Sequence, residues 1–260
     1  MRLVVGTWNL REGGDDGRLL QQLDLLTGAE VEPVDAWLFQ EAQHWDADGH
    51  RLLHLAARRL DMSARVLIPS AHHGCHLAML VREHPDLRVV RERHDRAAPW
   101  WHALGHLELH ADGKIVHLLN LHLAPSAPAV RLLEAQTLGL FRSWPVIAAG
   151  DYNAYPLGPL PDPAAIPAND KVHRKLDQDA ARAVHAAGLT DVGAALGDTT
   201  PTVGHDEPGA LAYRCDRVHS TLPPASFAGY QVLSPRGLSD HCPVIASFDL
   251  PTHPEPEWRA

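Results

Sequence analysis

The sequence predicts a layered α/β sandwich, and three observations lead there. Ten short apolar runs with the length and the β-branched or leucine content of strands recur along the 260 residues. Amphipathic stretches with leucines three and four apart stand between some of them. Their order mixes strand-helix-strand units with strands that follow one another directly, a pattern that favours sheets layered with helices.

The first run, RLVVGTWNL, is short and soon turns polar, so it reads as a strand and not as a signal peptide. Arg18 to Gly28 repeats leucines at helical spacing before a glycine stop; VDAWLFQE is the second strand, and His50 to Leu60 the second helix. ARVLIPS, HLAMLVRE, LRVVRER, HALGHLELH and KIVHLLNLHL follow as strands, and the Asp-Gly pair in ELHADGKIV suits a hairpin turn between the last two. AVRLLEAQTLGLFRSW reads as a helix, PVIAAGDYN as a buried strand, and KLDQDAARAVHAAGLTD as a further helix. CDRVHST and PVIASFDL close the series. No linker or repeat divides residues 1–250, which are expected to form one domain. The Pro-rich stretch from Pro156 to Asp170 is expected as a long surface loop bordering the cleft, and 251–260 as a frayed tail.

A hydrophobic content of 45% is that of a folded protein with a real core. The net charge of −9 argues against holding nucleic acid chiefly through a basic surface, yet leaves room for phosphate substrates if bound cations supply positive charge locally. Cys75, Cys215 and Cys242 are too few for a disulfide framework and contain no Cys-x-x-Cys pair, which suits a reducing, cytoplasmic setting. No stretch approaches a membrane span, and no segment advertises a protein partner. The 19 histidines are an unusual count, which by itself gives no single His a role.

Polar residues at strand ends are more informative. A carboxylate closing an apolar strand is costly unless paired, hydrogen-bonded or bound to a cation. Glu41 after Trp37, Leu38 and Phe39 is the clearest case. Asn9, His122, Asp151, Asn153, Asp240 and His241 hold comparable positions. Asp151 and Asn153 on their own are also ordinary turn chemistry before Pro156. Six or seven such residues at five strand ends are harder to assign to turns.

With TWN (Thr7 to Asn9), QE (Gln40, Glu41), NLH (Asn120 to His122), GDYN (Gly150 to Asn153), CDR (Cys215 to Arg217) and SDH (Ser239 to His241) in this order, the chain resembles the endonuclease/exonuclease/phosphatase superfamily, whose fold is that of deoxyribonuclease I. The resemblance runs from about residue 3 to residue 249. It implies a four-layer α/β/β/α sandwich of two mixed, mostly antiparallel sheets flanked by helices, with the site at one end. It also implies hydrolysis of phosphoesters by an oriented water with Mg²⁺, or Mn²⁺. Hard oxygen donors suit those ions, and Glu41, with Asn9 nearby, is the first metal ligand expected. Asp240 is either a further ligand or an acid that orders the metal's waters. By resemblance Asp151 orients or deprotonates the water, Asn153 holds it or the phosphate, and His241 donates to a phosphoryl oxygen. Asp216 fixes the His241 tautomer, and His122 assists the leaving group or binds phosphate.

Plainer readings stand beside these. Asn9 can cap a turn before Arg11, His122 can be structural, and Asp216 can pair locally with Arg217. His72, His73 and His76 look like a metal cluster but read better as loop residues, with no His-Glu-x-x-His helix to support zinc. For substrate binding, Arg91, Arg93 and Arg96 interleave with Trp100 and Trp101 as in a stacking, phosphate-binding loop; alternatively the tryptophans pack at a hairpin edge. Gln43 stands where deoxyribonuclease I-like enzymes place an arginine two residues past the glutamate, which weakens the case for minor-groove binding. Three functions follow: a nuclease on DNA or RNA, a hydrolase of a small phosphoester such as a nucleotide, or a non-catalytic binding module on the same fold.

Overall fold

Two six-stranded sheets lie face to face in the computed structural model, which describes residues 1–166, 170–205 and 209–250. The first sheet contains β1 (Arg2–Asn9), β2 (Ala36–Gln40), β3 (Ala64–Ile68), β4 (Leu77–Val81), β11 (Phe227–Val232) and β12 (Val244–Asp249), in the order β11-β12-β1-β2-β4-β3. The second contains β5 (Leu87–Glu92), β6 (Leu104–Ala111), β7 (Lys114–His122), β8 (Val146–Asp151), β9 (Thr190–Asp191) and β10 (Asp216–Ser220), in the order β5-β6-β7-β8-β10-β9. Each sheet has a single parallel pair, β1 with β2 and β7 with β8, and every other pairing is antiparallel. The expected mixed, mostly antiparallel sheets are thus present.

Period-two alternation sorts the side chains into three cores. Leu3, Val5, Leu38, Met79, Leu118, Ile147, Ala149, Val218 and Ala246 fill the space between the sheets. Their strand neighbours Val4, Trp8, Trp37, Phe39 and Ile245 face outward, where α1 (Arg18–Leu26) and α2 (Arg51–Arg59) cover them with Leu19, Leu23 and Leu53. Leu119, Leu121, Val146 and Ala148 face the other way, under α3 (Pro128–Thr137) and α5 (Asp179–Ala186). Helix, sheet, sheet and helix are the four layers.

The hairpin between β6 and β7 turns at Asp112 and Gly113, both at positive φ, with Ala111 opposite Lys114, as the Asp-Gly pair requires. Several elements depart from the sequence reading, among them the two-residue β9, which falls where that reading continues a helix. β11 carries no strand signal in the sequence reading: only Phe227 is buried, the other five residues are half-exposed or exposed without alternation, and an irregularity falls between Phe227 and Gly229. The helix expected from Lys175 is broken, because the Asp177 carboxylate accepts the Asp179 amide in a turn and α5 begins only there. Lys175 instead ends the short α4 (Asp170–Lys175), and α6 (Val192–Ala195) follows β9. The C-terminal stretch 251–260 and part of the Pro-rich segment lie outside the described residues.

Candidate active site

The same alternation that sends Leu118 and Ile147 inward carries Asn120, His122 and Asp151 to the inner face at the ends of β7 and β8. On the facing sheet, Val5 and Leu38 are followed two by two by Thr7, Asn9 and Gln40. β10 runs antiparallel to β8, so its first residue, Asp216, lies opposite Asp151. β12 runs antiparallel to β1, so the loop before it, Ser239 to His241, returns to the same end. Six quoted motifs, far apart in the chain, therefore meet at one edge of the seam between the sheets.

Buried amides tie the two sheets together below that edge. Gln40 Nε2 donates to Asn120 Oδ1 at 2.7 Å, and Asn120 Nδ2 donates back to the Phe39 and Ala78 carbonyls, each at 3.0 Å. Above them the Asn9 amide donates to Glu41 Oε1 and to Asp151 Oδ2, both at 3.2 Å. One side chain thus joins a carboxylate of each sheet. Glu41 and Asn153 leave their strands at positive φ, 54° and 47°, a conformation that swings both side chains out of the pleat. Gly150 is also needed, because a Cβ there would collide with the Leu121 carbonyl.

Asp151 is the centre of the polar network. Its Oδ1 accepts the Asn153 amide at 2.8 Å and the Cys215 thiol at 3.1 Å; its Oδ2 lies 3.6 Å from His122 Nε2 and 3.9 Å from His241 Nε2. Burial alone would raise this carboxyl, but the charges of His241 and His122 outweigh it and hold the group below the usual carboxylate range. The Asn153 side chain donates to the Leu123 carbonyl at 3.0 Å. His241 Nδ1 lies 2.8 Å from Asp216 Oδ2. Burial pulls the His241 pKa down, and Asp216 and then Asp151 reverse this, pushing it up to about 10. Burial raises the Asp216 carboxyl against the opposing pull of His241. The alternative pairing of Asp216 with Arg217 does not occur, since the pleat points them to opposite faces.

Asp240 contacts the Ser239 hydroxyl at 3.5 Å, and that hydroxyl donates to the Asn9 carbonyl at 2.9 Å. The Glu41 carboxylate fits a hard cation, whereas Asn9 turns its Nδ2 to the two carboxylates and its Oδ1 accepts the Arg11 amide at 3.0 Å, the turn contact that the sequence also allows. No lysine or arginine pairs with Glu41 among the described residues, whose polar contacts are the Asn9 amide and the Glu12 backbone N–H at 3.0 Å. The local field is negative: burial, then Glu41 and Glu12, push the Cys75 thiol up to about 12. Two further groups bring ligand atoms within 4.8 Å of one another, Asp151 with Asp216 and His241, and His106 with Glu108 and His117.

The residues expected to bind substrate separate. Arg91 and Arg93, on and just beyond β5, both reach Glu108, at 3.7 and 2.9 Å, and Arg96 is exposed. Trp100 is buried under α3 and β7 and cannot meet a ligand there. Trp101, only half-buried, stacks on the exposed His72 at 4.2 Å between ring centroids. His76 is instead tied to the Ser70 amide and to Asp46.

Two contributors carry no motif. His102 stacks on His122 at 4.1 Å, and burial reinforced by His122 pushes its pKa down to about 2, so this ring is neutral. Glu134 on α3 accepts the Trp101 amide at 2.6 Å and the Ala124 amide at 2.7 Å, pinning the loops on both sides of His122. Only its place amid an apolar helix face hinted at this.

The model of the endonuclease/exonuclease/phosphatase family matches residues 6–241. The chain belongs to that family. Family and fold together make it a hydrolase of the phosphoester type. Among solved structures, a humanized D. rerio TDP2 with 14 mutations superposes with a TM-score of 0.70 at 17% identity, covering 96% of this chain and 99% of that one. An AP endonuclease from Archaeoglobus fulgidus gives 0.66 at 19%, over 95% and 100%. A family member from Bacteroides thetaiotaomicron gives 0.65 at 19%, over 96% and 99%. No curated protein matches the sequence. Among the described residues, no helix of this family member is long and apolar enough to cross a membrane.

Proposed function

We propose that the protein is a Mg²⁺- or Mn²⁺-dependent nuclease that cleaves phosphodiester bonds of nucleic acid. The observation that carries the hydrolytic part is the Asn9 amide held between Glu41 and Asp151, with the Asp216–His241 pair beside it. Glu41, with Asp240 as a further candidate and Asn9 beside it, would hold the divalent cation, which when bound would supply positive charge for the phosphate and make a water more acidic. The chain's own groups do the rest. Asp151, held low, is a weak proton sink and acts mainly by orienting the attacking water, with Asn153 fixing its backbone. His241, kept charged by Asp216, presents its other nitrogen on the Asp151 side, where it donates to a phosphoryl oxygen. His122, held by the His102 ring, faces the departing oxygen.

Preference for nucleic acid rests on the exposed His72–Trp101 stack, one residue from His102 and so beside His122. A D. rerio TDP2 of the same fold, complexed with a single strand DNA product, supports it. A second reading, a small phosphoester substrate, is favoured by the capture of Arg91 and Arg93 by Glu108, which leaves less free positive charge for a long polyanion. The test compares hydrolysis of plasmid, single-stranded DNA, RNA, bis-p-nitrophenyl phosphate and nucleotides, with and without Mg²⁺ or Mn²⁺, using Asp151→Asn as the control. Metal-dependent polymer cleavage absent from the variant is expected; turnover of small esters alone selects the second reading, and no turnover removes both.

A further inference from the structure

β10 has a second face. Asp216 and Val218 look inward, and Arg217 and His219 look outward, towards α5 and α6. Arg217 is 1% exposed. Its Nη1 donates to the Arg214 carbonyl at 3.2 Å, while Nε and Nη2 have no partner among the described residues. The guanidinium lies over the Tyr152 ring at 4.8 Å, a contact that does not neutralise it. The carboxylate within reach, Asp191, is spent on Arg214, which binds both of its oxygens at 2.6 and 3.1 Å. His219 Nδ1 is also buried with no hydrogen-bond partner among the described residues, and burial pushes that imidazole down to about 3, so it is neutral.

Both side chains line a cavity of about 300 Å³ whose other walls include Leu157, Leu189 and Ala195. A buried cation with two unpartnered nitrogens is costly unless a counter-charge joins it. Water in the cavity can satisfy hydrogen bonds but brings no charge. Of the ionic groups, Asp191 lines the wall with both carboxylate oxygens held by Arg214, which is not itself part of the lining, His185 is exposed on the rim, and Arg217 is left over.

We propose that this cavity, on the opposite face of the sheet from the hydrolytic site, binds a small oxyanion of the phosphate type, held by Arg217 with His219 beside it. The walls, apolar at Leu157, Leu189 and Ala195 and polar at Thr190 and the Arg214-held Asp191, leave room for a compact anion or the phosphate end of a small metabolite, and Pro156 and Leu157 also line the cavity. Bound there, the anion sits behind Tyr152, between Asp151 and Asn153 in the chain, and stiffens the strands that carry them.

The experiment titrates metal-free protein, in EDTA and low-salt chloride buffer, with inorganic phosphate, adenosine monophosphate and acetate, by calorimetry and thermal melting. Two variants accompany it: Arg217→Met, and Ala195→Trp, which fills the cavity from an exposed wall and spares the buried guanidinium. Wild type is expected to bind one phosphate per chain and, near saturation, to melt roughly 5 °C higher. Both variants should lose at least ten-fold in affinity. Phosphate and adenosine monophosphate binding alike marks a site for the phosphate group; phosphate alone marks the free ion; either supports the proposal. Absence of binding, equal binding by acetate, or binding that Ala195→Trp leaves unchanged overturns it, and this last variant decides the matter should Arg217→Met not fold.

Discussion

Asp216 gives both carboxylate oxygens to His241 Nδ1, at 2.8 and 3.0 Å, while standing directly opposite Asp151 across the β8–β10 pair. Two buried acids thus share one imidazole. Since this lifts the His241 pKa from 6.5 to about 10, the charged form and its stabilisation are complete below pH 6.5 and are lost as pH rises through about 10. Asp216→Asn should move the alkaline limb of the rate profile at least one pH unit lower and reduce kcat/KM by roughly 10² or more. Its stability deficit, read by urea unfolding, should shrink as pH approaches 10. An unmoved alkaline limb would separate His241 from the reaction.

Glu41 has no cationic side chain to answer its charge among the described residues, so Glu41→Gln should leave melting unchanged or slightly raised while activity falls on the order of 10²-fold or more. The metal concentration needed for half-maximal rate should rise in parallel. A variant with normal metal dependence would remove Glu41 from the cation site.

Asn120 joins Gln40 of one sheet to its own strand in the other, and its amide satisfies two buried carbonyls. Asn120→Ala strands these groups and should cost about 3 kcal/mol in denaturant unfolding. A loss under about 1 kcal/mol would mean that water replaces the amide.

Trp101→Ala should raise KM for single-stranded nucleic acid roughly ten-fold, with kcat and melting temperature little changed. Trp100→Ala, by contrast, opens a core cavity and should act through stability, at about 3 kcal/mol or more. Equal effects of the two on KM would remove the stacking role of Trp101.

These two tryptophans also show where reading a sequence stops. Nothing in PWWHA says which ring turns inward, because that depends on the Glu134 carboxylate taking the Trp101 amide from a helix 33 residues away. Most strands and the inner faces of β7 and β8 were legible, since period-two alternation carries Leu118 to Asn120 to His122 and Ile147 to Ala149 to Asp151 without reference to anything distant; the order of strands in each sheet was not, because it is set by pairing between distant segments. The motifs marked the residues that now meet. His102 was not legible, since its position against His122 is made by stacking between two strand ends and leaves no spacing to read. Arg217 looked like a salt-bridge partner for Asp216; only the pleat, once in place, rules that out.

The order of strands in the first sheet reaches beyond the finished molecule. β1 lies in the middle, hydrogen-bonded on one side to β2 and on the other to β12, so that Arg2 pairs with Asp249. During synthesis the earliest strand must wait for the latest, and Asn9 waits with it for the Trp8 and Ser239 contacts that come from the end of the chain. A partly translated chain therefore has no assembled candidate site until β12 and the loop before it have been made.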